Sequence, residues 1–355
     1  MSTKMNTIET DRIYRAKAPL RISFCGGGTD VSPYPEEKGG VVLSSTIDKY
    51  AYASVRPISE PIIHVTSLDL DVKSEYPLGE KLPTGEDPLD LVKGVVNHLQ
   101  WGEGGAPFPS GCDIFLHTDA PPGSGLGSSS TLVTSLLGAL VEWLRRPLTP
   151  YEIAERTFQI ERKELALAGG RQDQYAATFG GFNYIEFFAD HTVVNPLRLH
   201  RHTQNELEYS LLLCFTGRTR QSAHIVENQA QSYVERKAPV VEALDEMKRI
   251  THDMKGLLLR NRIADFGRML HEAWIFKKNL DAGITNSQID RLYELARSEG
   301  ALGGKILGAG GGGFLMTLVP FERKNRIAAA LREEGGEILP FAFEERGLQT
   351  WIAER

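Results

Sequence analysis

Gly123, Gly125 and Gly127 occupy alternate positions in the run Pro121-Pro122-Gly123-Ser124-Gly125-Leu126-Gly127-Ser128-Ser129-Ser130-Thr131. A turn stripped of side chains in this way lets backbone N–H groups close on an anion. Four hydroxyl residues follow, Ser128 to Thr131, and then a largely apolar stretch, Leu132 to Leu144. The pattern predicts a glycine turn feeding a helix, with the hydroxyls capping it at the positive end of its dipole. Phosphate is the ligand that suits this chemistry. A turn that only packed a helix would leave the four hydroxyls without a purpose.

Two familiar phosphate patterns are excluded. A Walker A loop needs Lys and then Ser or Thr after its last glycine, and no Lys follows here; Gly300 to Lys305 has the wrong spacing and ends in Ile306. Gly308 to Gly313 satisfies GxGxxG but leads into Phe314 to Val319, which reads as a strand. A dinucleotide fingerprint requires strand, glycines and helix in that order. What remains is a nucleotide site built another way.

The elements that must hold this loop can be read around it. Ile13 to Cys25 and Val41 to Arg56 look like sheet, separated by the side-chain-poor loop Gly26-Gly27-Gly28-Thr29-Asp30. Asp69 to Asp90, with three prolines, reads as a surface excursion, and Ile114 to His117 as a short strand entering the phosphate loop. Thr149-Pro150-Tyr151-Glu152 is a capping box with Pro in the first turn; its helix is expected to reach about Leu167 and stop at Gly169-Gly170. Strands follow to Phe188, and the polar segment Asp190 to Asn205 reads as a crossing between halves. Leu211 to Phe215 is a further strand. Helices are expected over Ser222 to Lys278, one of them starting at Pro239, and over Asn286 to Ser298. A strand at Phe314 to Val319, a helix at Arg323 to Glu334 and strands at Ile338 to Phe343 and Leu348 to Ala353 close the chain.

Bulk properties narrow the class. At 355 residues the chain suits two domains, and 41% hydrophobic with 24% charged residues marks an ordinary globular protein. A formal charge of −6 argues against a general nucleic-acid or membrane-surface binder. Cys25, Cys112 and Cys214 are far apart with no CxxC, which suits a reducing compartment and excludes a disulfide framework. His200 and His202 lack HExxH spacing and read as surface residues rather than zinc ligands. Met1 to Asp11 has no apolar signal core, and the longest apolar helix, about 13 residues or ~20 Å, is too short for a bilayer. The expected location is cytoplasmic.

Three segments carry a family resemblance: Ala18-Pro19-Leu20-Arg21-Ile22-Ser23-Phe24, the Pro121 loop, and Lys305 to Phe314. In this order and at these distances they resemble the GHMP small-molecule kinases. The stretch Arg21 to Asp30, with Val31 to Ala53 behind it, looks most like the branch acting on D-glycero-D-manno-heptose 7-phosphate at its anomeric oxygen. The resemblance implies an α+β, two-domain fold. Residues 1–195 would form a mixed α/β domain of the ribosomal protein S5 domain 2 type, and residues 196–355 a ferredoxin-like domain.

The implied substrates are ATP and a sugar phosphate, with Mg2+, the 1,7-bisphosphate feeding nucleotide-activated heptose for surface glycans. Neither nucleic acid nor membrane is implied, and the chain would act as a monomer or homodimer. Alternatives are another GHMP sugar kinase, for fucose or another hexose, or a sensor that binds sugar and ATP without turnover.

The resemblance also implies site roles. Asp173, in a loop after the capped helix, would take the proton from the sugar hydroxyl, and Arg21 would stabilise charge on the transferring phosphate. Pro122, Gly123, Ser124, Gly125, Leu126, Gly127, Ser128, Ser129 and Ser130 would hold the nucleotide. Glu161 and Ser129 would hold the metal, with Ser128 and Ser130 one step away. Gly28, Thr29, Asp30, Gly310 and Gly311 would line the sugar. Gly26-Gly27-Gly28, where galactokinase has Gly-Glu-His, would leave more room beside it. Arg218 and Arg220 are candidates for a distal phosphate, with Lys277-Lys278 and Arg198-Arg201 as competitors.

Overall fold

The computed structural model describes residues 11–85, 87–217 and 223–354. In chain order its elements are β1 (Arg12–Cys25), α1 (Tyr34–Lys38), β2 (Gly40–Ile58), β3 (Ile62–Ser67), β4 (Val72–Pro77), α2 (Asp90–Trp101), β5 (Gly111–Thr118), α3 (Ser128–Trp143) and α4 (Pro150–Phe158). Then come α5 (Gln172–Phe179), β6 (Phe182–Phe187), β7 (Thr192–Pro196), α6 (Arg201–Ser210), β8 (Leu211–Phe215), α7 (Ala223–Val234), α8 (Ala238–Leu259) and α9 (Ile263–Lys278). The chain closes with α10 (Ser287–Ser298), β9 (Gly303–Ile306), β10 (Phe314–Leu318), α11 (Phe321–Glu333), β11 (Glu337–Leu339), β12 (Phe343–Glu344) and β13 (Gln349–Glu354).

Among the described residues the first half builds a nine-stranded sheet whose main path runs β13-β1-β2-β5-β3-β4, with β6 and β7 continuing from β2. It is antiparallel except where β3 runs parallel to β5. The second sheet has the order β11-β8-β10-β9. Numbered from its own first strand this is 4-1-3-2, with helices after the first and third strands: the ferredoxin-like arrangement expected from the resemblance.

Polar composition hid several elements. Asp69 to Asp90 is not a plain excursion, because Val72–Pro77 pairs with Ile62–Ser67 as a hairpin. Its burial alternates along the strand, and with Pro77 at its end it suits a sheet edge. Asp190 to Asn205 is likewise more than a crossing: Thr192–Pro196 pairs with β6 and α6 begins at Arg201. The last strands return to the first sheet, β13 pairing with β1 and β12 with β2.

Two cores hold the site in place. Val55, Val65, Ile114 and Leu116 of the large sheet pack against Val95 and Leu99 of α2 and Leu136, Leu137 and Leu140 of α3. A second cluster joins Leu20, Ile22 and Phe24 of β1 to Met247, Ile250, Phe266, Leu270 and Met316 from the other half. The inner end of β1 is therefore buried on both faces, which accounts for its loss of alternation after Ala18.

Candidate active site

Both halves of the chain line one cavity of about 500 Å³, within the ~300–1,000 Å³ range of small-molecule sites. The end of β1 and its loop contribute Arg21, Gly27, Gly28 and Asp30; the phosphate loop contributes Gly123, Gly125, Gly127 and Ser128 to Ser130. Glu161, Arg162 and Gly170 come from the segment between α4 and α5, Gln172 and Asp173 from the first turn of α5, and Gln229, Lys277, Leu280, Gly308 and Gly310 from the second half.

The glycine turn has the conformation its sequence calls for. Gly123, Gly125 and Gly127 have φ of 75°, 83° and 79°, a left-handed residue at every second position, which turns successive N–H groups inward. The loop is seated on the Gly308–Gly313 loop joining β9 to β10: Phe314 N–H donates to the Ser124 carbonyl at 3.0 Å. A Cβ on Gly125 would lie 2.6 Å from the Leu307 carbonyl oxygen. Gly125→Ala therefore adds backbone strain of about 1–3 kcal/mol as well as a clash. Denaturant unfolding is expected to show a lower midpoint with an unchanged slope.

The hydroxyls do not cap the helix. Gly127 is the N-cap of α3 and no side-chain cap bond is present, so Ser128 to Thr131 form the first turn itself. Thr131 donates back to the Gly127 carbonyl at 2.9 Å. Ser130, rather than Ser129, meets Glu161, its hydroxyl donating to Oε1 at 2.9 Å. Helical period decides which: Ser130 shares the buried face with Thr134 and Leu137, while Ser129 is exposed at the cavity.

Thr149 and Glu152 make both bonds of the capping box, but α4 stops at Phe158, short of the expected Leu167. Gln159–Glu164 continues it as a π-helical turn, a wider winding often found at functional sites. Glu161 sits in that turn, 1% exposed, with Gln174 Nε2 donating to its Oε2 at 2.6 Å. Burial pushes its carboxyl pKa up, against the lowering effects of Arg162, Gln174 and Ser130. A buried carboxylate beside a serine hydroxyl at a phosphate loop fits a divalent cation that draws its remaining ligands from phosphate and water.

Arg21 Nε and Nη2 both reach Asp173 Oδ1, at 2.8 and 2.7 Å, and Nη1 donates to the Gly125 carbonyl. Asp173 lies in the first turn of α5 rather than in a loop. A Cβ on Gly127 would come within 3.2 Å of the Asp173 carboxyl carbon, so this carboxylate rests directly against the phosphate loop.

Asp30 lines the cavity and is also held by protein donors. Its Oδ2 accepts from Arg171 N–H, Gln172 N–H and Gln172 Nε2, each at 3.1 Å, and its Oδ1 from Gly28 N–H at 2.9 Å. Four protein donors engage the carboxylate meant for sugar hydroxyls, because the first turn of α5 has free N–H groups and no cap of its own. Asp30 thus ties the β1 loop to the helix carrying Asp173. Gly27 and Gly28 face the cavity beside two amides: a Cβ there would meet Gln172 Nε2 at 3.3 Å and Gln229 Nε2 at 3.1 Å. Gln172 Oε1 and Ser23 Oγ, beside Gly27, are buried without a protein partner, as expected of groups that meet a ligand.

Other expected residues lie behind the lining. Leu126 is core, Ser124 is fully buried, and Pro122 is exposed outside the cavity. Thr29 spends its hydroxyl on the Gly26 and Val41 carbonyls, both at 2.8 Å. Gly311 N–H is taken by the Ile284 carbonyl. Arg218 and Arg220 lie outside the described residues. Of the competitors, Lys277 lines the cavity, whereas Lys278 stacks over Trp274 and Arg201 pairs with Glu345 at the surface.

Charge alone marks neither Lys277 nor Lys305 in the sequence. The signal for Lys277 is positional: Phe266, Leu270, Ala273 and Trp274 form an inward stripe, and Lys277 falls on its next turn while Lys278 does not.

The chain matches the family models GHMP kinases N terminal domain over residues 90–181 and GHMP kinases C terminal over residues 254–337. It is 37% identical to a D-glycero-alpha-D-manno-heptose 7-phosphate kinase of Campylobacter jejuni, over 95% of this chain and 98% of that protein. It is 29% identical to an L-fucokinase/L-fucose-1-P guanylyltransferase of Bacteroides fragilis, over 88% of this chain but 35% of that one. A crystal structure described as a D-glycero-D-manno-heptose 1-phosphate kinase of Bacteroides thetaiotaomicron superposes with a TM-score of 0.80 at 36% identity, covering 95% of this chain and 98% of that one.

Proposed function

Because this chain belongs to the GHMP kinases, which use ATP as phosphate donor, we propose that it phosphorylates the C1 hydroxyl of D-glycero-D-manno-heptose 7-phosphate to give the 1,7-bisphosphate. The observation that carries this reading is the Arg21–Asp173 pair against the phosphate loop, taken with the near full-length likeness to the Campylobacter enzyme. The bond between the γ-phosphorus and the β,γ-bridging oxygen breaks, a bond to O1 of the sugar forms, and Asp173 takes the hydroxyl proton. Arg21 neutralises charge on the moving phosphoryl group. Gly123 to Ser130 cradle the donor's phosphates; Gly28, Asp30, Gly310 and the amides of Gln172 and Gln229 surround the sugar. Arg218 and Arg220 are assigned to its distal phosphate. The product would feed nucleotide-activated heptose for surface glycans in the cytoplasm, the chain acting as a monomer or homodimer. We divide it at residue 196, with the last strands returned to the first unit.

Mg2+ is assigned to Glu161 with Ser129 or Ser130, where it would neutralise phosphate charge and fix the donor's geometry. Burial raises the Glu161 carboxyl pKa, so its ionised form costs stability that is lost as pH rises through the raised value. Glu161→Gln is accordingly expected to melt higher than the parent at neutral pH without ligand. The same change should raise the Mg2+ concentration needed for half-maximal rate about 10–100-fold. Calorimetry and a Mg2+ titration check the two arms.

The relatives' names differ in where the acceptor already carries phosphate. An ADP-release assay with the heptose, its 1-phosphate, its 7-phosphate, fucose and galactose, followed by phosphorus NMR of the product, decides between them. ADP release confined to the 7-phosphate is expected. Release with fucose alone favours the hexose-kinase reading, and sugar binding without ADP favours the sensor.

A further inference from the structure

Helix α9 delivers Lys277 into the cavity with its side chain buried, and the ammonium donates to the Gly308 carbonyl. Nearby, Lys305 of β9 is buried as deeply and donates to the Ser23 carbonyl at 2.8 Å. Neither bond goes to a carboxylate. Buried cations held by carbonyl oxygens alone are an unbalanced charge, tolerated where an anion arrives to offset it.

Placement says which anion. The Gly308 carbonyl belongs to the loop on which the phosphate loop sits: a Cβ on Gly308 would lie 2.8 Å from Gly125 Cα. The Gly125 carbonyl in turn receives Arg21 Nη1. Lys277 and Arg21 are thus anchored on two glycines in mutual contact, one from each half of the chain. This is the end of the cavity where Arg21, Asp173 and the phosphate loop meet.

We infer that Lys277 is a catalytic residue that contacts the phosphoryl group in transfer, neutralising its equatorial oxygens from the C-terminal half while Arg21 does so from the N-terminal half. The inference rests on the phosphotransferase reading above. It explains why an amine is buried where a hydrocarbon would pack without cost, and it makes the charge balance of the site depend on both halves.

The groups facing Lys277 are Arg21 and Cys25 of β1, Asp30 and Lys305. Burial and then the Arg21 charge push its pKa down to about 8, opposed by Asp30 and Cys25. Burial and the Lys277 charge push the Lys305 pKa well below the ordinary lysine range. Burial raises the Cys25 thiol. A required ammonium loses its proton as pH rises, so wild-type kcat/KM should fall above about pH 8, and that limb should vanish when the amine is removed.

Lys277→Met and Lys277→Gln are compared with wild type in steady-state kinetics and in ADP binding by calorimetry. Both variants are expected to lose kcat about 10²–10³-fold, with KM for either substrate and Kd for ADP within threefold of wild type. Glutamine keeps an N–H donor, one bond shorter, without the charge, so wild-type kcat in Lys277→Gln would show that the charge does not matter and would overturn the assignment. So would a kcat loss that merely parallels lost ADP binding, the behaviour of a strut for the Gly308 loop. Wild type is the control for the reading beneath: no turnover of ATP with any acceptor retires the phosphotransferase itself, whereas an active wild type and an equally active Lys277→Gln retire Lys277 alone.

Discussion

Asp173→Asn is expected to lower kcat by about 10²–10⁴-fold while leaving ADP affinity and KM for both substrates nearly unchanged. Asparagine is isosteric, and its amide oxygen can still accept from the guanidinium of Arg21, so the pocket keeps its shape. What it loses is the capacity to carry the hydroxyl proton away as the new P–O bond forms. An anomeric hydroxyl is more acidic than a simple alcohol and needs less help, which places the expectation toward the lower end of the range. Single-turnover phosphate transfer is the decisive measurement, because slow product release cannot mask the chemical step there. A single-turnover rate within tenfold of wild type would retire Asp173 as the base and leave it a holder of Arg21.

The parts of this site that were legible in the sequence are those built from backbone chemistry. Alternate glycines permit a left-handed residue at every second position, and Gly123, Gly125 and Gly127 adopt it. Thr149 and Glu152 make a local, reciprocal cap that no distant residue can override. The hidden parts depend on distant partners. Nothing local in Gln159–Glu164 distinguishes a π-turn from an α-helix, because its widening is fixed by where Glu161 must meet Ser130 and Gln174. Asp30 reads as a ligand-binding carboxylate until α5, more than 140 positions away, brings its uncapped N–H groups to it. The same holds for the cavity wall: two glycines mark open backbone, and only the fold shows that Gln172 and Gln229 stand beside them.

The two halves share more than a cleft. β1 ends inside a core to which α8, α9 and β10 contribute, so the strand carrying Arg21 is gripped by both halves at once. Backbone bonds repeat the connection: Arg21 N–H donates to the Leu126 carbonyl, and Phe314 N–H to that of Ser124, each at 3.0 Å. The phosphate loop is therefore suspended between β1 and β10 by its own peptide groups. The middle glycine adds a side-chain bond to these, its carbonyl accepting from Arg21 Nη1.

That suspension is why the conservative exchange Arg21→Lys is expected to be severe. The guanidinium makes three bonds in fixed directions, two to Asp173 Oδ1 and one to the Gly125 carbonyl, in a position only 3% exposed. An ammonium can satisfy the carboxylate or the carbonyl, but lacks the planar fork that spans both. The abandoned partner is then a buried acceptor without a donor, costing about 1–3 kcal/mol of stability. Denaturant unfolding should show this as a lower midpoint with an unchanged slope. Losing one aligned donor at the transferring phosphoryl group is expected to lower kcat about 10²–10³-fold. Because Arg21 and Asp173 act as one unit, the double variant Arg21→Lys with Asp173→Asn should be little slower than Asp173→Asn alone. Additive losses would mean that the two residues serve separate steps, and kcat within fivefold of wild type in Arg21→Lys would mean that charge alone, without the fork, suffices at this position.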